Sequence, residues 1–371
     1  MKRNPTERNL KIARLADAIG KVGCDVSAAS RKAGIISGTA EYWYKTRLLG
    51  NGFKIHAAIA YEKVGLRCLV MIVQIGEKFS KRADRIFRAM GEKTFVESYS
   101  RTIPFGYYFV IASVPEEHIG AFIEFARGMK KVGFFTSLRI FKADWRRDVP
   151  MRTEFFDFEH CVWDFDWARA RIRYDEAKQT SEAVKVDVDF KDLKILKQLQ
   201  LDADTTLADI SKRVGVKDRS LRQHHRDHVL GHGLIRCYTL DWYGAATKRM
   251  RQEVRAGRRN YLGFHVLVNG LDKNQKMEVR AYFNQLPFVW REAGGERFYY
   301  AEGAFPTDAI SEGYEAMGKI AERLGFKLEF FVRDPKGAST FGIATQLFEP
   351  KTRKWRFDSQ TVLVDVKALL R

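Results

Sequence analysis

The sequence predicts an α+β fold built as a tandem repeat. Each half would hold a winged helix-turn-helix followed by a βαββαβ, ferredoxin-like domain, and a pseudo-two-fold would relate the halves. Three observations carry this. Residues 189–240 read as three short helices and a strand. Gly34 and Gly215 lie 181 positions apart, and so do Gly52 and Gly233, so the helix breaks of residues 189–240 have counterparts near the N-terminus. Downstream, strand and helix patterns run twice in the order βαββαβ, with Gly133/Gly325 and Trp163/Trp355 both 192 apart. The change of offset places eleven extra residues around positions 241–258.

In the first copy, residues 9–19 and 27–33 read as helices, and Gly34 breaks the second. Ser37 is positioned to cap a third helix that runs to Leu49 and closes at Gly52. Residues 68–75 form an apolar strand and 81–90 an amphipathic helix. Two strands, 95–102 and 107–114, flank the Pro104-Phe105-Gly106 turn; a helix at 116–131 and a strand at 134–141 complete the unit. The second copy repeats the order at 261–268, 274–285, 288–292, 298–304, 307–324 and 326–332. Alternating apolar strands need cover on both faces, so the halves are expected to dock. The domains follow: helix-turn-helix 1–60, ferredoxin-like domain 61–174 with extra strands, linker 175–187, helix-turn-helix 188–242, basic insertion 243–259, and ferredoxin-like domain 260–371 with extra strands.

The second helix-turn-helix is the more regular. Phe190, Leu193, Ile195, Leu196 and Leu199 recur at helical spacing. Thr206 with Asp209 marks a helix start, Gly215 a stop, and Asp218 is placed to cap a third helix over 219–230. A strand at 234–240 reads as a hairpin arm. On the third helix Leu221, His225 and Val229 make one stripe, with Arg219, Arg222, Gln223 and Arg226 opposite. Arginine forks match guanine edges or phosphates, and glutamine pairs with adenine. The bland alternative is a solvated basic face. The candidate DNA-contacting residues are Lys217, Arg219, Ser220, Arg222, Gln223, Arg226 and Arg236 here, with Ser37, Thr39, Tyr42, Lys45, Arg47 and Lys54 in the first head. That first head is degenerate: Ala40, Tyr44 and Leu48 replace the stripe, and Gly38, Glu41, Tyr42 and Lys45 the basic face.

A net charge of +19 suits an anionic partner, nucleic acid before an acidic membrane. No run is apolar enough to span a bilayer and no signal core opens the chain, so a cytoplasmic protein is expected. Cys24, Cys68, Cys161 and Cys237 lie too far apart for a zinc ribbon. The insertion sets six cations against Glu253, a linker or a phosphate-tracking arm. His224, His228 and His232 stand at the i, i+4 spacing that can chelate zinc, yet without an H-E-x-x-H run they read as packing or phosphate contacts. Trp163 and Trp355, with Phe165 and Phe357, read as core before base-stacking platforms. No catalytic residue, metal ligand or cofactor is assigned.

Residues 189–216 fit a D-x-x-D-x-x-I-L-x-x-L-x-x-D-x-x-T-x-x-D/E-I-x-x-x-V-G-V pattern. The matches are Asp189, Asp192, Ile195, Leu196, Leu199, Asp202, Thr205 or Thr206, Asp209, Ile210, Val214, Gly215 and Val216. With the βαββαβ domain behind it, the chain resembles the Lrp/AsnC (feast/famine) transcription regulators, as two tandem copies in one chain. The resemblance implies double-stranded DNA as partner, an amino-acid-like effector, homo-oligomers, and no enzyme. Two alternatives share the features: a nonspecific architectural DNA protein, and an enzyme like the siroheme decarboxylases, which resemble the same family. Against the latter, the first sheet strand lacks an R-x-x-x-Y-N-x-W/M-F run.

Overall fold

The computed structural model describes residues 6–165, 184–242 and 261–370. The basic insertion at 243–259 and residues 175–183 of the linker lie outside them. Among the described residues no helix is long and apolar enough to cross a membrane.

The first head comprises α1 (Glu7–Val22), α2 (Val26–Ala33) and α3 (Ser37–Trp43), whose last turn widens into a π-helical turn, Tyr44–Leu49. Ile12, Leu15, Ala16 and Ile19 of α1 pack against Ala29, Ala40 and Leu48. Gly34 ends α2 at φ 66°, a left-handed value that costs glycine little. Ser37 is the first helical residue and not the cap; Ile36 holds that position with no side-chain hydrogen bond. A strand, β1 (Lys54–Ile59), follows.

The first sheet domain runs β2 (Leu66–Ile75), α4 (Ala83–Lys93), β3 (Val96–Ile103), β4 (Tyr107–Pro115), α5 (Ile119–Lys131), β5 (Phe135–Lys142) and β6 (Trp145–Asp148). A small hairpin, β7 (Phe156–Asp157) with β8 (Val162–Trp163), ends the half. The second head comprises α6 (Phe190–Leu201), α7 (Leu207–Val214) and α8 (Asp218–His224), followed by a π-helical turn, His225–Leu230. Thr206 caps α7 by accepting from Asp209 N at 3.1 Å, as its spacing suggests. Asp218 does not cap α8; Lys217 precedes the helix, and the Asp218 carboxylate accepts instead from Arg222 one turn on. Then come β9 (Ile235–Asp241), β10 (Tyr261–Asn269), a helix Lys273–Phe283, β11 (Val289–Gly294), β12 (Phe298–Pro306), a helix Ile310–Leu324 and β13 (Leu328–Thr340). The hairpin β14 (Phe348–Glu349) with β15 (Lys354–Trp355) and a helix Ser359–Ala368 close the chain.

The pairing differs from the expected hairpin arm. β9 pairs antiparallel with β1 of the other half, Ala57 opposite Tyr238, so each head contributes one strand to a shared ribbon. Each strand thereby covers an edge that its own half leaves open.

The main sheet has nine strands in the order β5-β2-β4-β3-β13-β10-β12-β11-β6. Counted within each half, its four strands lie in the order fourth, first, third, second. The terminal strands of that order, β5 and β6, are separated in the chain by Ala143 and Asp144 alone, which closes the sheet on itself. β13 crosses over likewise, pairing with β10 through its first residues and with β3 through its last. Alternation explains the docking. Leu69, Met71 and Val73 face a helix-covered core, while Val70, Ile72, Phe109 and Ile111 meet Leu267, Phe298 and Tyr300 of the other half. Trp163, 3% exposed, packs edge-on against Phe156, Trp242 and Phe288.

Candidate nucleic-acid interface and central cavity

α8 and the π-helical turn that continues it stand on Leu221 and Val229, both fully buried, which turns the opposite face outward. Lys217, Arg219, Arg222, Gln223 and Arg226 are exposed there, and Ser220 is half-buried beside Lys191. Two of the arginines hold acids: Arg222 reaches Asp218 at 2.7 Å and Arg226 reaches Asp227 at 2.6 Å. Such exposed pairs are weak and screened by salt, so either guanidinium is available at little cost. Arg236 is engaged elsewhere, on Glu62 at 2.6 Å and the Arg146 carbonyl at 2.9 Å.

The first head presents Ser37, Tyr42 and Lys45 to solvent and Thr39 half-buried. Lys45 is paired with Glu41 at 2.7 Å. Arg47 is half-buried, and Lys54 on β1 lines the cavity described next. The two heads thus carry unequal charge at equivalent positions.

A cavity of about 390 Å³ lies between the β1–β9 ribbon and the joined sheets. Both halves line it, with Lys54, His56 and Glu97 from the first and Arg291, Glu302 and Arg333 from the second. Beneath it runs a chain of alternating charges. Glu97 accepts from Arg146 at 2.5 and 2.8 Å, and from Ser113 and Tyr61. Arg146 approaches Asp148 at 3.7 Å, Asp148 accepts from Arg291 at 3.0 Å, and Glu302 lies 3.4 Å from Arg291 and 3.2 Å from Arg333. Burial alone would raise the Glu97 carboxyl, but Arg146, with Arg291 and the Ser113 hydroxyl, holds it down at about 2. His265, stacked on Phe109 and hydrogen-bonded to Ser100 and Tyr300, is pushed down to about 4, chiefly by burial. His56 shares its Nδ1 with the Gln200 carbonyl at 3.0 Å.

Of these residues the sequence reading assigned a role to Lys54 alone, as a DNA contact. Their signal was present as charge inside apolar strand runs: Glu97 in 95–102, His265 in 261–268 and Glu302 in 298–304. Buried charges are rare unless paired, and the partners are distant in sequence: Arg146 for Glu97, Arg333 for Glu302 and Ser100 for His265.

Comparison with known families matches residues 190–227 to the winged helix-turn-helix DNA-binding family. The second head is a DNA-binding domain. No curated protein sequence matches the chain. Two solved structures share its fold over 97% of this chain and 98% of theirs. One is the siroheme decarboxylase NirDL, at TM-score 0.54 and 11% identity; the other is NirDL with an iron-uroporphyrin III analogue, at 0.53 and 10%. This overturns the expectation that the chain is no enzyme, since the architecture it shares nearly end to end is that of one. At such identity the likeness is one of fold, and it brings no residue's role with it.

Proposed function

We propose that this chain is a DNA-binding transcription regulator of Lrp/AsnC type, acting as an intramolecular pseudo-dimer. In this reading each half pairs a helix-turn-helix with a ferredoxin-like domain. The observation that carries it is the exposed Arg219, Arg222, Gln223 and Arg226 face of α8 within the matched DNA-binding domain. A net charge of +19 supports the same partner. The central cavity, lined from both halves, is the place for a small effector; a zwitterion such as an amino acid suits its paired acids and arginines. The test is selection from random duplexes followed by a salt titration on a recovered site. An enriched motif bound with a steep salt slope is expected, with the stronger half-site read by the second head. Binding without sequence preference would refute this reading and favour the architectural alternative.

A second reading is favoured by the end-to-end likeness to NirDL: catalysis in the cavity on a polyanionic substrate such as a siroheme. Arg291 and Arg333 are the cations for its carboxylates, and both already hold Asp148 or Glu302. Incubation with siroheme, followed by mass spectrometry for loss of carbon dioxide, tests it directly.

A further inference from the structure

The second head contains a cluster that the DNA-binding reading does not use. His224 and His228, one turn apart on the recognition helix, both turn their Nδ1 atoms onto Asp192 at the start of α6, at 3.2 and 3.3 Å. Asp192 is fully buried, His224 is 16% exposed and His228 44%. The three donor atoms lie within 4.8 Å of one another. Asp189 adds a carboxylate oxygen 3.7 Å from His224 Nδ1. The sequence showed the histidine spacing, but Asp192 joins it only through the packing of α6 on the third helix.

We propose that Asp192, His224 and His228 form a binding site for a divalent transition-metal ion, zinc foremost, that fastens the recognition helix to α6. Ligand atoms around a tetrahedral zinc stand about 3.3–3.5 Å apart, given bonds of about 2.0–2.1 Å. His224 meets Asp192 Oδ1 and His228 meets Oδ2, so the two imidazoles flank the carboxylate, and small side-chain shifts bring one oxygen between them. Two imidazoles and one carboxylate suit zinc, cobalt or nickel and disfavour magnesium or calcium. The Asp192 carboxylate already accepts the Asp189 N–H in the capping box of α6, and a dication would neutralise the charge that this bond leaves buried. The half-exposed side of His228 leaves an entry path, with water or Asp189 for the fourth position. Lys191 is the local opponent: its Nζ lies 3.4 Å from His224 Nε2, where a metal-bound imidazole carries a proton, so it must swing away. The first head cannot share the site, because Lys11, Trp43 and Arg47 stand at the equivalent positions.

The test uses the full chain, stripped with chelator and desalted, without DNA. Titration with Co²⁺, read by the visible bands of a four-coordinate ion, and with Zn²⁺ against a chromophoric chelator should give one ion per chain at submicromolar affinity. His228→Ala, at a half-exposed position, should keep the metal-free melting curve and bind at least 100-fold more weakly. Asp192→Asn should lose binding similarly, Lys191→Gln should tighten it, and His160→Ala, in the turn between β7 and β8 where the imidazole meets Asp157, should leave it unchanged. No uptake by the full chain at micromolar metal would overturn the proposal. So would a folded His228→Ala variant that binds as the parent does.

Discussion

Glu97 receives both terminal nitrogens of Arg146, at 2.5 and 2.8 Å, with neither side chain more than 4% exposed. Arg146 lies on β6, the strand that crosses to pair with β11, so this ion pair sits where the halves join. Removing one partner strands a buried charge, at a cost of about 3–5 kcal/mol. Arg146→Ala should therefore lower stability by roughly that amount in urea unfolding. The double variant Glu97→Gln, Arg146→Met should lose less than the sum of its single changes. Additive losses would mean that the two groups do not act as a pair.

The acids beside the recognition arginines yield a prediction about DNA. Arg222 and Arg226 are held by Asp218 and Asp227, both exposed, and each acid also repels phosphate. Asp227→Asn should raise duplex affinity several-fold at low salt and steepen its salt dependence, whereas Arg226→Ala should weaken binding by about 1–3 kcal/mol if it reads a base. Tyr42→Ala and Lys45→Ala in the first head should cost far less. Filter or fluorescence titrations at several salt concentrations decide this; equal losses from both heads would refute the inequality.

How much of this was legible in sequence depended on range. The helices of the second head could be read because their caps and stops, Thr206 and Gly215, act within four residues. Asp218 and Ser37 misled because each follows a residue already in extended backbone, which shifts the cap by one position. The pairing of β1 with β9 could not be read from local pattern, since the registers of Ala57 and Tyr238 are set 181 positions apart. The cavity was hidden for the same reason: Glu97 finds Arg146, and Arg291 finds Asp148, only after the sheets join. Asp192 matched a family pattern, yet nothing in that pattern says that two imidazoles meet it.

His265 should make acid stability depend on the interior between the two halves. Its folded value, about 4, lies below the usual imidazole value of 6.5, mainly because burial disfavours the cation. The unfolded chain therefore takes up a proton first as pH falls, so stability drops between about 6.5 and 4 and not above that window. The full swing is about 3 kcal/mol, from 1.36 kcal/mol per unit. Glu97 acts lower, from about 4.5 down through about 2. Urea unfolding at pH 7 and pH 5 should show the first loss in the parent and much less of it in His265→Asn. An unchanged pH slope in that variant would assign the loss to other groups.

The shared ribbon can be tested by one new cysteine. Ala58 on β1 stands opposite Cys237 on β9, and antiparallel partners place their Cα atoms about 4.5–5.5 Å apart, inside the disulfide range. Ala58 is 3% exposed, and burial, with Asp148 nearby, pushes the Cys237 thiol up to about 11, so thiolate is scarce. Air oxidation should be slow, and diamide should drive it, taking up the two hydrogens as the sulfur–sulfur bond forms. In Ala58→Cys, the digest under non-reducing conditions should yield a peptide joining positions 58 and 237 in most molecules. Ala57→Cys faces Tyr238 and, on the other side of the ribbon, should give none. Had the second head folded back into a hairpin of its own, Cys237 would have no partner from β1, and neither variant would cross-link.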